Sequence, residues 1–102
     1  MFTILREAQA EIREACAFLD GQSSGLAVRY YDALVQCFDR IAAIPLSYAQ
    51  LDHSYSGLQY RRALVPDFRY AVIFTADERD VVIVAVMHTS RAPDYWFGRS
   101  SV

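Results

Sequence analysis

The sequence predicts one α+β domain, in which an antiparallel helical hairpin packs on one face of a twisted, mainly antiparallel β-sheet. Three observations carry that expectation. Apolar residues recur at helical spacing through the first half of the chain, strand-like runs bounded by turn residues fill positions 58–88, and 102 residues suffice for one core but not for two. The order β, α, α, β, β, β with a short C-terminal tail or helix segregates the helices to one side of a sheet, and the expected domain spans residues 1–102.

Each element follows from local pattern. Met1 to Leu5 is a short strand candidate. A helix is predicted over residues 5–20, because Ala8, Ile12, Ala15, Cys16 and Leu19 recur at spacings of three and four while Arg6, Glu7, Glu11, Arg13 and Glu14 fill the other positions. Residues 21–25 (GQSSG) end it, and a second helix over 24–44 starts from a Ser24 cap. Its stripe is Leu26, Ala27, Tyr30, Leu34, Cys37, Phe38, Ile41 and Ile44, and it stops at Pro45. A connection of about five residues makes the two helices antiparallel.

In that hairpin Cys37 lies ~13 Å along the axis from the level of Cys16, beyond disulfide reach. Both thiols read as core residues. From Pro45 to Gly57 no period is visible and the segment reads as a loop, with His53 solvated. Three β-like runs follow, Leu58 to Val65, Phe68 to Ala76 and Arg79 to His88, separated by turn residues at Pro66-Asp67 and Asp77-Glu78.

Side-chain alternation then sorts the faces. With Val65 opposite Phe68 and Ala76 opposite Arg79, one face carries Tyr60, Arg62, Leu64, Arg69, Ala71 and Ile73, joined by Val82, Val84, Val86 and His88. The other carries Ala63, Val65, Phe68, Tyr70, Val72 and Phe74; being more apolar, it is expected to meet the helices. The run Val81 to Met87 is apolar on both faces, the pattern of a central strand whose far side is also covered.

Composition excludes several classes. Hydrophobic residues make up 54% and charged residues 22%, an ordinary globular balance rather than a disordered one. No apolar run approaches the ~20 residues of a membrane helix, and cytoplasmic residence without membrane contact is expected. The formal net charge is −2, so any contact with a polyanion must be local. All ten basic residues are arginine, which holds phosphate but cannot act as a base. Nothing in the sequence asks for a metal or cofactor.

The chemistry gathers at the end of the last strand, where residues 88–99 hold a histidine, two arginines, a tyrosine and the only tryptophan. These residue types together suit an anionic or planar ligand. The valine-rich run followed by His88-x-x-Arg91-x-Pro93 and Tyr95-Trp96 resembles the RelE/ParE superfamily of bacterial type II toxin–antitoxin toxins. So do the helical hairpin ending at Pro45 and the runs Arg62 to Val65 and Phe68 to Phe74. The resemblance extends over the whole chain.

That resemblance implies a growth-inhibiting toxin of the plasmid-stabilisation type, neutralised by a cognate antitoxin. It offers two modes of action. ParE-like members poison DNA gyrase, and RelE-like members cut mRNA on the ribosome. The ParE-like reading is favoured here by the acidic balance and the absence of lysine; a non-toxic peptide-binding module of the same fold is a further alternative. For the nuclease the resemblance implies charge stabilisation by Arg62, Arg69 and Arg91, with Tyr95 as stacking platform or acid, and His88 is the proton carrier the residues themselves offer near neutrality. For target binding it points to Arg62, Arg69, Arg91, Tyr95 and Trp96. The antitoxin is expected on an exposed apolar strip of Ile73, Val82, Val84 and Val86.

Overall fold

The computed structural model describes residues 1–55, 58–92 and 94–99, with the side chains of residues 52–55 outside the description. The side chain of His53, and Pro93, therefore lie outside the described residues. The elements are β1 (Phe2–Ile4), α1 (Arg6–Gln22), α2 (Leu26–Ala43), a 3₁₀ turn (Pro45–Ser47), β2 (Gln50–Tyr55), β3 (Leu58–Leu64), β4 (Tyr70–Ala76) and β5 (Val81–His88). The five strands form one sheet in the order β1-β5-β4-β3-β2, antiparallel except where β1 runs parallel to β5.

Both helices arise where the periodicity places them. Ala8, Ala15 and Leu19 of α1 are buried, as are Tyr30, Leu34, Cys37 and Ile41 of α2. Full burial of a Leu or Ile side chain contributes about 1.5–3 kcal/mol, so these rows rather than caps hold the hairpin down. The expected serine cap is absent. Gly25 is the N-cap of α2, in the left-handed region at φ 81°, and no side chain caps the helix. Glycine adopts that conformation without the penalty a Cβ would impose.

Two elements differ from the sequence expectation. Residues 50–55, read as loop, form β2 on the edge of the sheet, paired with β3 (Gln50↔Arg61, Tyr55↔Leu58). The β3–β4 connection is also longer than a two-residue turn. Val65 accepts from the Phe68 N–H and donates to the Tyr70 carbonyl, with Pro66 and Asp67 at the corner and Asp67 at φ 67°. The pairing moves by two residues (Leu64↔Ala71, Arg62↔Ile73), and an even shift preserves which side chains share a face.

The β4–β5 pairing does change parity. Near the turn Thr75 faces Val82 and Phe74 faces Ile83, but beyond it Ile73 faces Ala85, Val72 faces Val86 and Tyr70 faces His88. Val84 is the extra residue of a β-bulge, and every position after it swaps faces. Val86 and His88 therefore lie with Tyr70, Val72 and Phe74, not with Arg62 and Ile73.

The face of Tyr70 and Phe74 meets the helices, as expected from its composition. Tyr30 of α2 packs against Phe68 and Tyr70 at ring distances of 5.3 and 4.9 Å, and Tyr48 packs against Phe74. The opposite face is covered by the chain's own C-terminal segment: Trp96 is fully buried with its ring 4.5 Å from that of Tyr60. Ile73, Ala85 and Met87 are buried on this same face. Strand β5 is thus apolar on both sides because both sides are covered.

Candidate functional site

Three groups of side chains carry what chemistry the surface offers. The first stands at the end of the sheet where the β3–β4 connection meets the end of β5. The Thr89 N–H donates to the Arg69 carbonyl at 2.9 Å, which fastens the two segments together and leaves the Arg69 side chain exposed. His88 is half-buried, its ring edge-on to Tyr70 at 5.3 Å. Its Nδ1 accepts from the Ser90 N–H at 3.1 Å and lies 2.7 Å from Ser90 Oγ. The ring is held by its own turn.

The second group closes an open sheet edge. Strand β1 accompanies β5 only as far as Ile83, with Leu5 donating to the Ile83 carbonyl, so among the described residues the backbone of β5 beyond that point lacks a strand neighbour on this side. Side chains take its place. Glu11 accepts from the Val86 N–H at 3.1 Å, and Arg99 donates to the Val84 carbonyl at 3.1 Å. Arg99 and Glu11, with side chains 16% and 11% exposed, form a salt bridge at 2.8 Å. An isolated buried carboxylate would be costly, but here the carboxylate receives donors from three sides.

The third of those donors is Tyr95, whose hydroxyl bonds to the second Glu11 oxygen. Arg91 stacks over the Tyr95 ring at 4.2 Å and Arg99 at 5.1 Å. Burial first, and then the bond to Glu11, push the Tyr95 hydroxyl well above the usual phenol range. A phenol in that state does not release a proton near neutrality. Arg91 itself is exposed, and its N–H donates to the His88 carbonyl.

Arg62 makes the third group alone, exposed on the tail-covered face of β3 beside Ile73. The structure therefore does not assemble the side chains expected to act together. Arg69 and His88 share one end of the sheet, whereas Arg62 is on the opposite face from His88. Tyr95 is committed to Glu11, and Trp96 is core rather than surface. The strip of Ile73, Val82, Val84 and Val86 is likewise not one exposed face. Ile73, Val84 and Val86 are buried and Val82 half-buried, with Val86 turned to the helices by the bulge.

Glu11 is the residue that sequence reasoning missed. Its place on the polar side of α1 looks like solvated surface, and only the ending of β1 after three residues turns it toward a strand edge. The cysteines behave as core. Cys37 is buried with Sγ 3.9 Å from the Leu64 carbonyl, and burial pushes both thiols up, away from the reactive thiolate.

Two helices on a five-stranded mixed sheet with this order of elements are the architecture of the RelE/ParE superfamily. Within it, residues 2–93 match the family model described as the ParE toxin of the type II toxin–antitoxin system, parDE. The chain belongs to this family of type II toxins, and membership implies an antitoxin partner. No curated protein matches the chain. The match stops short of the tail that carries Tyr95, Trp96 and Arg99. No helix among the described residues is long and apolar enough to cross a membrane.

Proposed function

We propose that this toxin arrests growth in the ParE-like manner, by binding DNA gyrase rather than by cutting RNA, and that its antitoxin reverses the arrest. The observation that supports this reading is the bulge at Val84, which sends His88 to the helix side of the sheet while Arg62 stays on the other. Cleavage by a 2′-hydroxyl needs a proton acceptor, a proton donor and cationic groups converging on one phosphate. Here the donor candidate Tyr95 directs its hydroxyl proton at Glu11, and Nδ1 of His88 accepts from the Ser90 N–H, so the neutral ring carries its proton on Nε2 and has no free nitrogen to accept another. The exposed guanidinium groups of Arg62, Arg69 and Arg91 serve instead as contacts to the target, where planar, permanently charged donors recognise carboxylates or phosphates.

One observation favours the nuclease as the second reading: the segments that carry Arg69 and His88 are fastened together at one end of the sheet by the backbone hydrogen bond from Thr89 to Arg69. Induced expression separates the two. Gyrase poisoning produces filamentation and a DNA damage response while bulk translation continues at first, and co-expression of the antitoxin abolishes both. Rapid cleavage of ribosome-bound mRNA without a damage response would instead establish the RelE-like activity.

A further inference from the structure

Among the described residues, several exposed apolar side chains belong to no helical row, Phe18 on α1 and Ile44 and Leu46 around the 3₁₀ turn among them. Leu58 and Leu64 stand on β3 in no helical row, as single apolar residues do on most surfaces. On α2, by contrast, Val28, Tyr31 and Val35 are 65%, 52% and 39% exposed at spacings of three and four. The row continues through half-buried Phe38 and exposed Ala42. It lies roughly 110° around the helix from the buried row of Tyr30, Leu34, Cys37 and Ile41. Helix α2 thus carries two apolar stripes, of which the sheet covers one.

The spacing of the second stripe says what fits it. Steps of three, four, three and four are the repeat by which one helix seats its side chains on another, and a strand, alternating every second residue, does not match them. From Val28 to Ala42 the row is about 21 Å long, which is four turns of a partner helix. Phe2, whose ring lies 5.7 Å from that of Phe38, extends the apolar ground at one end.

We propose that this row docks an amphipathic helix of the antitoxin that carries basic residues along one flank. The proposal rests on the toxin–antitoxin reading, which supplies the partner. Charge decides against a second copy of this chain. Asp32 and Asp39, both exposed, each follow a row residue by one position, where flanking side chains of paired helices meet. In an antiparallel pair of α2 helices these positions face their own equivalents, so carboxylate meets carboxylate. A parallel pair sets them opposite the positions of Leu34 and Ile41, which are buried in the core. A different helix with Lys or Arg opposite Asp32 and Asp39 avoids both conflicts.

The test uses the full chain and, as probe, the purified small protein encoded by the adjacent reading frame. Val35→Asp puts a charge in the middle of the row without entering the core, and it should weaken the complex ~30-fold or more while circular dichroism stays native. Tyr31→Ala, which only truncates an exposed ring, gives a second measurement in the same direction. Leu64→Asp should leave affinity within about 2-fold. Asp32→Lys with Asp39→Lys should weaken binding and flatten its salt dependence. Wild-type affinity for folded Val35→Asp and Tyr31→Ala overturns the docking surface alone, as does a larger loss from Leu64→Asp. A wild-type dimer that Val35→Asp dissociates overturns it in favour of a second copy. A wild-type chain that does not bind the probe overturns the partner assignment, and the docking surface with it.

Discussion

The two faces of the sheet are covered in opposite ways. On one, two helices of 17 and 18 residues lay down long rows of apolar side chains. On the other, residues 94–99 fold back and rely on one fully buried tryptophan and a cluster around Glu11. A cover built from many modest contacts loses stability in steps. One built from a single anchor and a single latch is lost as a unit, so the tail face is where one substitution changes the state of the molecule.

The largest effect should come from removing the anchor. Trp96→Ala leaves a cavity under the tail and should cost about 3–5 kcal/mol in urea unfolding. Trp96→Phe should cost much less than its lost volume suggests. The indole Nε1 is buried without a hydrogen-bond partner among the described residues, so the ring change also removes an unsatisfied donor. If Trp96→Phe proves as damaging as Trp96→Ala, the indole N–H is hydrogen-bonded in the folded protein.

Breaking the latch comes next. Glu11→Ala strands the Arg99 guanidinium and the Val86 N–H, and removal of one partner from this partly buried ion pair should cost up to about 3 kcal/mol. Because Trp96 is the only tryptophan, its fluorescence reports the tail while circular dichroism reports the helices. In Glu11→Ala the tryptophan transition should precede the helical one. Coincident transitions in that variant would mean that tail and helices open together, and the contrast between the faces would fail.

A smaller effect is set by pH. The hydroxyls of Tyr95 and Tyr30 are both pushed up, chiefly by burial, so the folded protein keeps protons that the unfolded chain releases near pH ~10. Their contribution is whole below that pH and is lost as pH rises toward the folded values. Tyr95→Phe should cost about 1 kcal/mol near neutrality, the worth of one hydrogen bond, and make the alkaline loss of stability less steep. An unchanged alkaline slope would remove Tyr95 from the latch.

What the sequence disclosed, and what it hid, follows from how strongly each residue is patterned. The helical hairpin was legible because Tyr30, Leu34, Cys37 and Ile41 repeat at 3.6-residue spacing. The β3–β4 face assignment survived a longer connection because the slip was even. Strand β2 was hidden because its sequence (QLDHSY) alternates nothing, and an edge strand is defined by bonds to one neighbour rather than by a buried face. The bulge was hidden for the opposite reason. Val81 to Met87 is apolar at every position, so no polar residue marks where the alternation shifts, and simple alternation puts His88 on the wrong face. Of the candidate site, the residue types at the chain's end were visible, but the division of labour was not: Tyr95 and Trp96 hold the tail, and only Arg62, Arg69 and Arg91 face solvent.

In the gyrase-binding reading the two faces of the sheet do not combine into one catalytic site, and His88→Gln is the decisive substitution. Glutamine keeps a polar side chain at the end of β5 but cannot exchange a proton near neutrality. Expressed at the wild-type level, folded His88→Gln should arrest growth as wild type does, raise the same DNA damage response and leave ribosome-bound mRNA intact. A folded His88→Gln protein that is harmless, set beside a wild type that cleaves ribosome-bound mRNA, would overturn the gyrase reading and place His88 in a nuclease site.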